Sequence, residues 1–257
     1  MQDKDRVLAT LLMRAALPLT KVLVQDDPKL AKRYQGWNRV VQFEIAGDDK
    51  LACHLQFTDG ELAYIAGRHP APNINFVFKK PADFNALMTG KIGIPSIKGF
   101  FSNLGTLIGF LPLLLGLTIL LPTKLPKDQP SRAKKVKLLM YMVTVSLSQL
   151  NRIGDPDMVA FAADMPDRIF QWSVPPDGPS AYLRVCKGKT KAGKGLYTRR
   201  KPFVHMMFTS IDAAFLILTS QIDNVEAMKE GMLVIEGSPE YGKDISAIMM
   251  KIDGMLK

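Results

Sequence analysis

The chain is poor in the residues that carry most enzyme chemistry. Its 257 residues include two cysteines and three histidines. Cys53 and Cys186 lie far apart and read as small core residues. Two such cysteines exclude a disulfide framework and point to a reducing compartment, the cytoplasm. His54, His69 and His205 have no Cys or carboxylate partner at metal-ligand spacing, so no metal site is expected. His54 and His205 fall within predicted strands, where partly buried histidines are ordinary. The G-x-S-x-G nucleophile elbow is missing. The sequence therefore predicts no catalytic residues and no cofactor. The apolar run near the N-terminus follows acidic residues and is too short and interrupted for a signal peptide. Aromatic residues are scarce beside the basic segments, Tyr197 excepted, which argues against nucleic acid as a partner.

What is present has the balance of a folded protein, with 47% hydrophobic and 23% charged residues. The length suits one large domain or two of ordinary size. The net charge is +10 and peaks in two segments, Ser131 to Lys137 and Lys187 to Lys201. Such segments suit an anionic membrane surface or an acidic ligand. Fourteen methionines supply adaptable apolar surface.

The sequence answers itself at an offset close to 130 residues. Leu11 to Met13 is matched by Leu138 to Met140. The run DPKLAKRYQGWNRVVQFEI from Asp27 is matched by DPDMVAFAADMPDRIFQWSV from Asp155. CHLQF (Cys53 to Phe57) is matched by AYLRV (Ala181 to Val185). NFVFKKPADFNALMTGKI from Asn75 is matched by HMMFTSIDAAFLILTSQI from His205. The common order and offset predict two copies of one unit, 1–122 and 131–257, joined by a Pro-rich charged linker at 123–130.

Each unit opens with a helix. In the first copy Val7, Leu8, Leu11, Leu12 and Ala15 recur at helical spacing up to Pro18, which bends or ends it. A short helix begins at Asp27-Pro28, an acidic cap followed by a proline suited to the first turn. Val41, Phe43 and Ile45 alternate with Gln42 and Glu44 as in a strand. The turn Gly47 to Lys50 then leads into a hairpin. Strands at ELAYIA and NINFVF follow, then a helix over PADFNALMTG ending near Gly90. The second copy adds a short helix, a strand MLVIEG and a closing helix.

This order resembles the sterol carrier protein family, the non-specific lipid-transfer proteins. The matching residues are Asp83, Phe84, Leu87, Thr89 and Gly90 in the first copy. In the second copy they are Ala227, Met228, Gly231, Leu233, Ile235 and Gly237. The first copy lacks the segment equivalent to Asp223 to Glu230, which shortens its last strand. The second copy has Thr219-Ser220 where the family has Thr-Gly. The resemblance implies an α+β fold of two modules, each a mainly antiparallel sheet with helices on one face around an apolar tunnel. It also implies a lipid ligand (sterol, fatty acyl or isoprenoid-type) and no catalytic residues. The implied lipid-binding residues are Phe84, Leu87, Met88, Phe100, Phe101, Leu104 and Ile108 in the first copy. In the second they are Ile217, Leu218, Leu233, Ile245, Ile248, Met249 and Ile252. The fold family also serves as an accessory that presents a lipid-like intermediate to lipid-metabolising enzymes.

Two segments extend this reading. GKTKAGKG (Gly188 to Gly195) falls short of a nucleotide-binding loop, because Gly195 stands where Ser or Thr is required and an apparent strand, LYTRRK, follows. Lys187, Lys189, Lys191, Lys194, Arg199 and Arg200 are instead expected to meet anionic headgroups. The second segment, Gly99 to Thr123, runs 25 residues without a charge. By its place in the repeat, Phe100 to Leu111 is the closing helix of the first copy, with Phe100, Phe101, Leu104, Leu107, Ile108 and Leu111 facing inward. Pro112 to Pro122 is extra, and Gly105 and Gly109 form a GxxxG pair. In the second copy Tyr241, Ile245, Ile248, Met249, Ile252 and Leu256 make one stripe, with Lys243, Asp244, Lys251 and Asp253 elsewhere. The protein is thus expected to be a cytoplasmic lipid carrier that touches membranes peripherally. The alternative is a protein anchored in the membrane through 104–121.

Overall fold

In the computed structural model, which describes residues 3–256, the chain divides into two compact units, Met1–Leu121 and Pro122–Lys257.

The first unit opens with α1 (Lys4–Leu11), a π-helical turn (Leu12–Ala16) and α2 (Leu19–Asp26). Pro18 neither ends the helix nor simply bends it. The rod absorbs the lost donor by widening one turn before the proline, where Leu17 N–H reaches back five residues to the Leu12 carbonyl at 3.0 Å. The rod from Lys4 to Asp26 is long and apolar enough to cross a membrane, yet 78% of its apolar window is buried inside the protein. It is a core element of this unit. Asp27 caps α3 (Pro28–Tyr34) by accepting from the N–H groups of Lys29 and Leu30.

Strands β1 (Arg39–Ile45), β2 (Asp48–Thr58), β3 (Glu61–Ala66) and β4 (Ile74–Phe78) follow, then α4 (Pro81–Met88) and β5 (Ser96–Lys98). The sheet order is β3-β2-β1-β4-β5, with only the β1–β4 pair parallel. The shortened last strand is present: Phe76 pairs with Ile97, with no second short helix between α4 and β5. Helix α5 (Leu104–Leu117) completes the unit.

The second unit holds α6 (Gln129–Arg152), α7 (Pro156–Ala162), β6 (Arg168–Ser173), β7 (Ser180–Cys186), β8 (Lys189–Lys194) and β9 (Val204–Phe208). It ends with α8 (Ile211–Leu218), α9 (Asn224–Lys229), β10 (Leu233–Gly237) and α10 (Pro239–Leu256). Asp155 caps α7 as Asp27 caps α3. The strand order is β8-β7-β6-β9-β10, again with one parallel pair, β6–β9. The α+β class expected from the sequence is the class observed, and the two sheets have the same order.

Alternation in β1 predicts one wet face, but Gln42 and Glu44 are buried. The connection after β3 folds back over them. The side-chain carbonyl of Gln42 accepts the His69 N–H at 2.6 Å, and Glu44 accepts from Arg68 at 2.7 Å. The second unit repeats the device: Gln171 accepts the Tyr197 N–H at 2.8 Å. A buried amide on the central strand that pins a loop over the sheet face satisfies groups that burial would otherwise leave unpaired.

The largest departure is the charge-free run. The helix does not end at Leu111. It starts at Leu104 and continues through Pro112 to Leu117, with a 3-10 turn at Thr118–Leu120. Its 14 residues reach about 21 Å, short of the roughly 30 Å of a bilayer core. Its inward face is Thr106, Gly109, Phe110, Leu113 and Leu117. Leu104, Ile108 and Leu111, expected inside, are exposed, as are Phe100 and Phe101 before the helix. The reason is close approach. A Cβ at Gly109 would stand 2.2 Å from the Trp37 ring, and Tyr34 donates its hydroxyl to the Gly109 carbonyl at 2.9 Å. The glycine side of the helix can press onto α3 and Trp37, and the bulky side cannot. Gly105, the other half of the GxxxG pair, faces open space.

Candidate functional site

The second unit holds a half-open cavity of about 80 Å³ between its sheet and helices α6, α8 and α10. Trp172, Met206, Phe208 and Leu233 line it from the sheet, one from β6, two from β9 and one from β10. They project to one side because alternate strand residues share a face. Leu139, Met142 and Val143 come from α6, and Ile217 and Leu218 from α8. Helix α10 lies over them as a lid, bringing Met249, Met250, Ile252 and Leu256. Ser220, Asn224, Ser246 and Asp253 add polar groups to the lining. Trp172 is 2% exposed and its indole N–H has no partner among the described residues. A volume of this size holds a handful of water-sized groups.

Several contacts hold the lid. Ile245, Ile248 and Ile252 are buried. Lys251 reaches Asp155 and Asp157, each at 2.6 Å. Ser220 donates its hydroxyl to Asp253 at 2.8 Å. Ser220 has φ +55, a left-handed conformation unusual for a residue with a side chain, whereas its counterpart Gly90 has φ +77. The departure from Thr-Gly thus places a hydroxyl against the lid. Asp253, expected away from the apolar stripe, stands at the cavity rim.

Of the residues implied by the family resemblance, Ile217, Leu218, Leu233, Met249 and Ile252 line this cavity, while Ile245 and Ile248 are buried without lining it. In the first unit Phe84 is fully buried, Leu87 and Met88 are half-buried, and Phe100, Phe101, Leu104 and Ile108 are exposed. Sequence reasoning missed Trp172, Met206 and Phe208, which strand alternation marks as one face. It also missed the α6 wall of Leu139, Met142 and Val143.

The equivalent space in the first unit is filled by rings. Phe43 stacks on Phe76 at 5.0 Å, and Phe84 stands 6.5 Å from Phe43 and 5.3 Å from Phe78. Phe110 of α5 adds a further ring 6.1 Å from Phe43. Register relates the two sets: Phe43 pairs with Phe76 as Trp172 pairs with Met206. Ala214 of α8 holds the position that Phe84 holds in α4.

The basic hairpin differs from expectation. Lys187 and Gly188, both at positive φ, form its two-residue turn, so the strand is Lys189–Lys194. LYTRRK is therefore loop, and no helix follows Gly193-Lys194, as a nucleotide loop would require. Gly193 is needed because a Cβ there would stand 2.1 Å from the Tyr182 ring. Tyr182, Lys191, Lys194, Tyr197 and Arg199 line a shallow hollow of about 220 Å³. Lys187, Lys189, Lys191, Lys194, Arg199 and Arg200 are all exposed, but Arg200 is engaged by Asp167 at 2.5 Å. Asp167 also takes a two-pronged contact from Arg184 at 2.7 and 2.8 Å. These guanidinium partners, Arg184 first, hold the Asp167 carboxyl down at about 2.

Among the described residues no group of three His, Cys, Asp or Glu could hold a metal ion. His205 shares a 2.8 Å hydrogen bond with Ser173, and burial pushes its pKa down.

No family model matches the sequence, and no curated protein matches it. Among solved structures, the chain is similar to the UbiJ-SCP2 ubiquinone synthesis protein, at 12% identity and a TM-score of 0.32, over 43% of this chain and 96% of that one. It is similar to palmitated SCP2L2 from Aedes aegypti at 13% identity and a TM-score of 0.31, over 42% of this chain and 90% of that one. It is also similar to the inverting sec-alkylsulfatase Pisa1 from Pseudomonas at 14% identity and a TM-score of 0.27, over 64% of this chain and 32% of that one. The sterol carrier structures are matched nearly end to end by less than half of this chain.

Proposed function

We propose that the protein binds a long apolar molecule with one polar end in the cavity of the second unit, and carries or presents it without altering it. The observation that supports this reading is the cavity itself: an apolar, methionine-rich wall, a polar rim and a helical lid. Each CH₂ group transferred from water contributes about 0.8 kcal/mol, so a chain of ordinary length needs few polar contacts. The half-open cavity takes the first part of the chain, and α10 shifts to admit the rest. Methionine side chains at Met142, Met206, Met249 and Met250 suit a wall that must repack. The Trp172 indole offers a donor that no protein group uses. Lys189, Lys191 and Arg199 have no carboxylate partner among the described residues and add attraction to anionic lipid, about 1 kcal/mol per cation near the surface.

Titrating the full-length protein with a fluorescent fatty acid tests the reading, together with mass spectrometry of molecules extracted from the purified chain. Saturable uptake that Ala214→Phe removes, with the bound molecule recovered unaltered, is expected. Failure to take up fatty acid or sterol, with nothing extracted, overturns the proposal. So does recovery of a chemically converted molecule.

A further inference from the structure

The first unit exposes more large apolar side chains than its fold needs. Ile92 is 90% exposed, Ile94 82% and Phe101 96%. Along α5 the side facing away from the unit carries Leu104, Ile108 and Leu115, also exposed. These features belong to one region. Gly90 lies against the Leu121 side chain just beyond the C-terminal end of α5, and the Phe100–Phe101 pair, with rings 5.3 Å apart, immediately precedes its start. The outer side of α5 is thus apolar, with loop residues at both ends.

Charge identifies what covers this face. Between Asp83 and Asp128 the sequence has no acidic residue, and its charges are Lys91, Lys98, Lys124 and Lys127. Lys91 and Lys98 are exposed; they flank Ile92 and Ile94 in sequence, and Phe101 lies three residues after Lys98. Apolar side chains at loop tips beside lysines, with acid excluded, match an anionic bilayer: the side chains enter the acyl boundary and the ammonium groups meet phosphate. A surface made for a second copy of this basic chain would need acid to balance those lysines. Helix α5 is too short to span, so it lies along the interface.

We infer that the outer face of α5, with the loops at Ile92–Ile94 and Phe100–Phe101, is a wedge that docks the first unit on anionic membranes. This rests on the first unit alone and stands whether or not the second binds a lipid.

The test is sedimentation of the full-length protein with phosphatidylcholine vesicles containing or lacking phosphatidylglycerol. The expected result is binding to the anionic vesicles that falls about tenfold or more in the double variant Ile92→Ser/Phe101→Ser. Fatty-acid uptake by the same variant should be unchanged. Because both side chains are exposed, the variant should fold, which circular dichroism checks. A Phe101→Trp variant should gain fluorescence that brominated acyl chains quench. Unchanged vesicle binding by the double variant overturns the inference. So does loss of binding on Lys191→Glu/Arg199→Glu alone with no quenching at position 101. A change from dimer to monomer in the double variant, without any effect on vesicles, assigns the face to a second copy and likewise overturns it.

Discussion

The two units have the same strand order, and they differ in what lies between sheet and helices. In the first unit that space is solid with Phe43, Phe76, Phe78, Phe84 and Phe110. In the second, Trp172, Met206, Phe208 and Ala214 hold the first four of those positions, and a cavity remains. The closing helices differ in the same sense. Helix α10 brings Met249, Met250, Ile252 and Leu256 to the cavity. Helix α5 presses its glycine side inward and turns its leucines out. One topology can therefore be a hollow or a plug, and side-chain volume at a few positions decides which.

The contrast can be broken most strongly at Phe84. Phe84→Ala should remove the ring that fills the first unit and cost about 3–5 kcal/mol in urea unfolding. If the site stays open, a small aromatic solute should bind there. The reverse exchange, Ala214→Phe, should overpack the second unit by about 1–3 kcal/mol and abolish fatty-acid uptake while circular dichroism stays native. Gly109→Ala should cost a similar 1–3 kcal/mol, because its methyl group meets Trp37. Trp37 fluorescence should shift with it, and uptake by the second unit should not. Ser220→Gly sharpens the comparison by giving the second unit the glycine of the first. It relieves the positive φ but removes the hydrogen bond to Asp253, so global stability should change by less than about 1 kcal/mol. Faster hydrogen exchange along the last turns of α10 should be its signature.

The smallest effect is on pH dependence. His205 occupies the position of Asn75 in the first unit, and burial holds its pKa below the usual 6.5, partly offset by Glu236. The folded state favours the neutral ring, so below about pH 6.5 the unfolded state binds more protons. Stability is therefore present above that pH and is lost as pH falls through the window beneath it. His205→Asn should flatten this acid-side loss when urea midpoints are compared at about pH 7.5 and about pH 5.

Much of the element order was legible in the residues. Asp27-Pro28 announced a capped helix, the alternation around Phe43 and Phe76 announced strands, and the match to the run from Asp155 carried both to the second copy. The burial of Gln42 and Gln171 was not legible, because a polar residue in a strand reads as solvent-facing until the loop that covers it is known. The hairpin at Lys187 was misplaced because a lysine at positive φ carries no sequence signal comparable to Asn-Gly. The candidate cavity was half legible. Its α8 and α10 walls followed from the family resemblance, while Trp172 and the α6 wall did not, because they depend on which strand and helix faces meet.

What the amino-acid sequence determined by itself was local: helix caps, strand alternation, turns, and their recurrence near an offset of 130 residues. These depend on backbone preferences and on neighbours a few residues away. The charge-free run was the clearest limit. Its composition says apolar, and its periodicity offers two faces of similar hydrophobicity. Only the tertiary structure chose between them, because the choice rests on Trp37 and Tyr34 reaching Gly109 across more than 70 residues of sequence. Close approach of a ring to a backbone is a matter of shape between distant parts of the chain, and that is where the cavity in one unit and the outward apolar face of the other were settled.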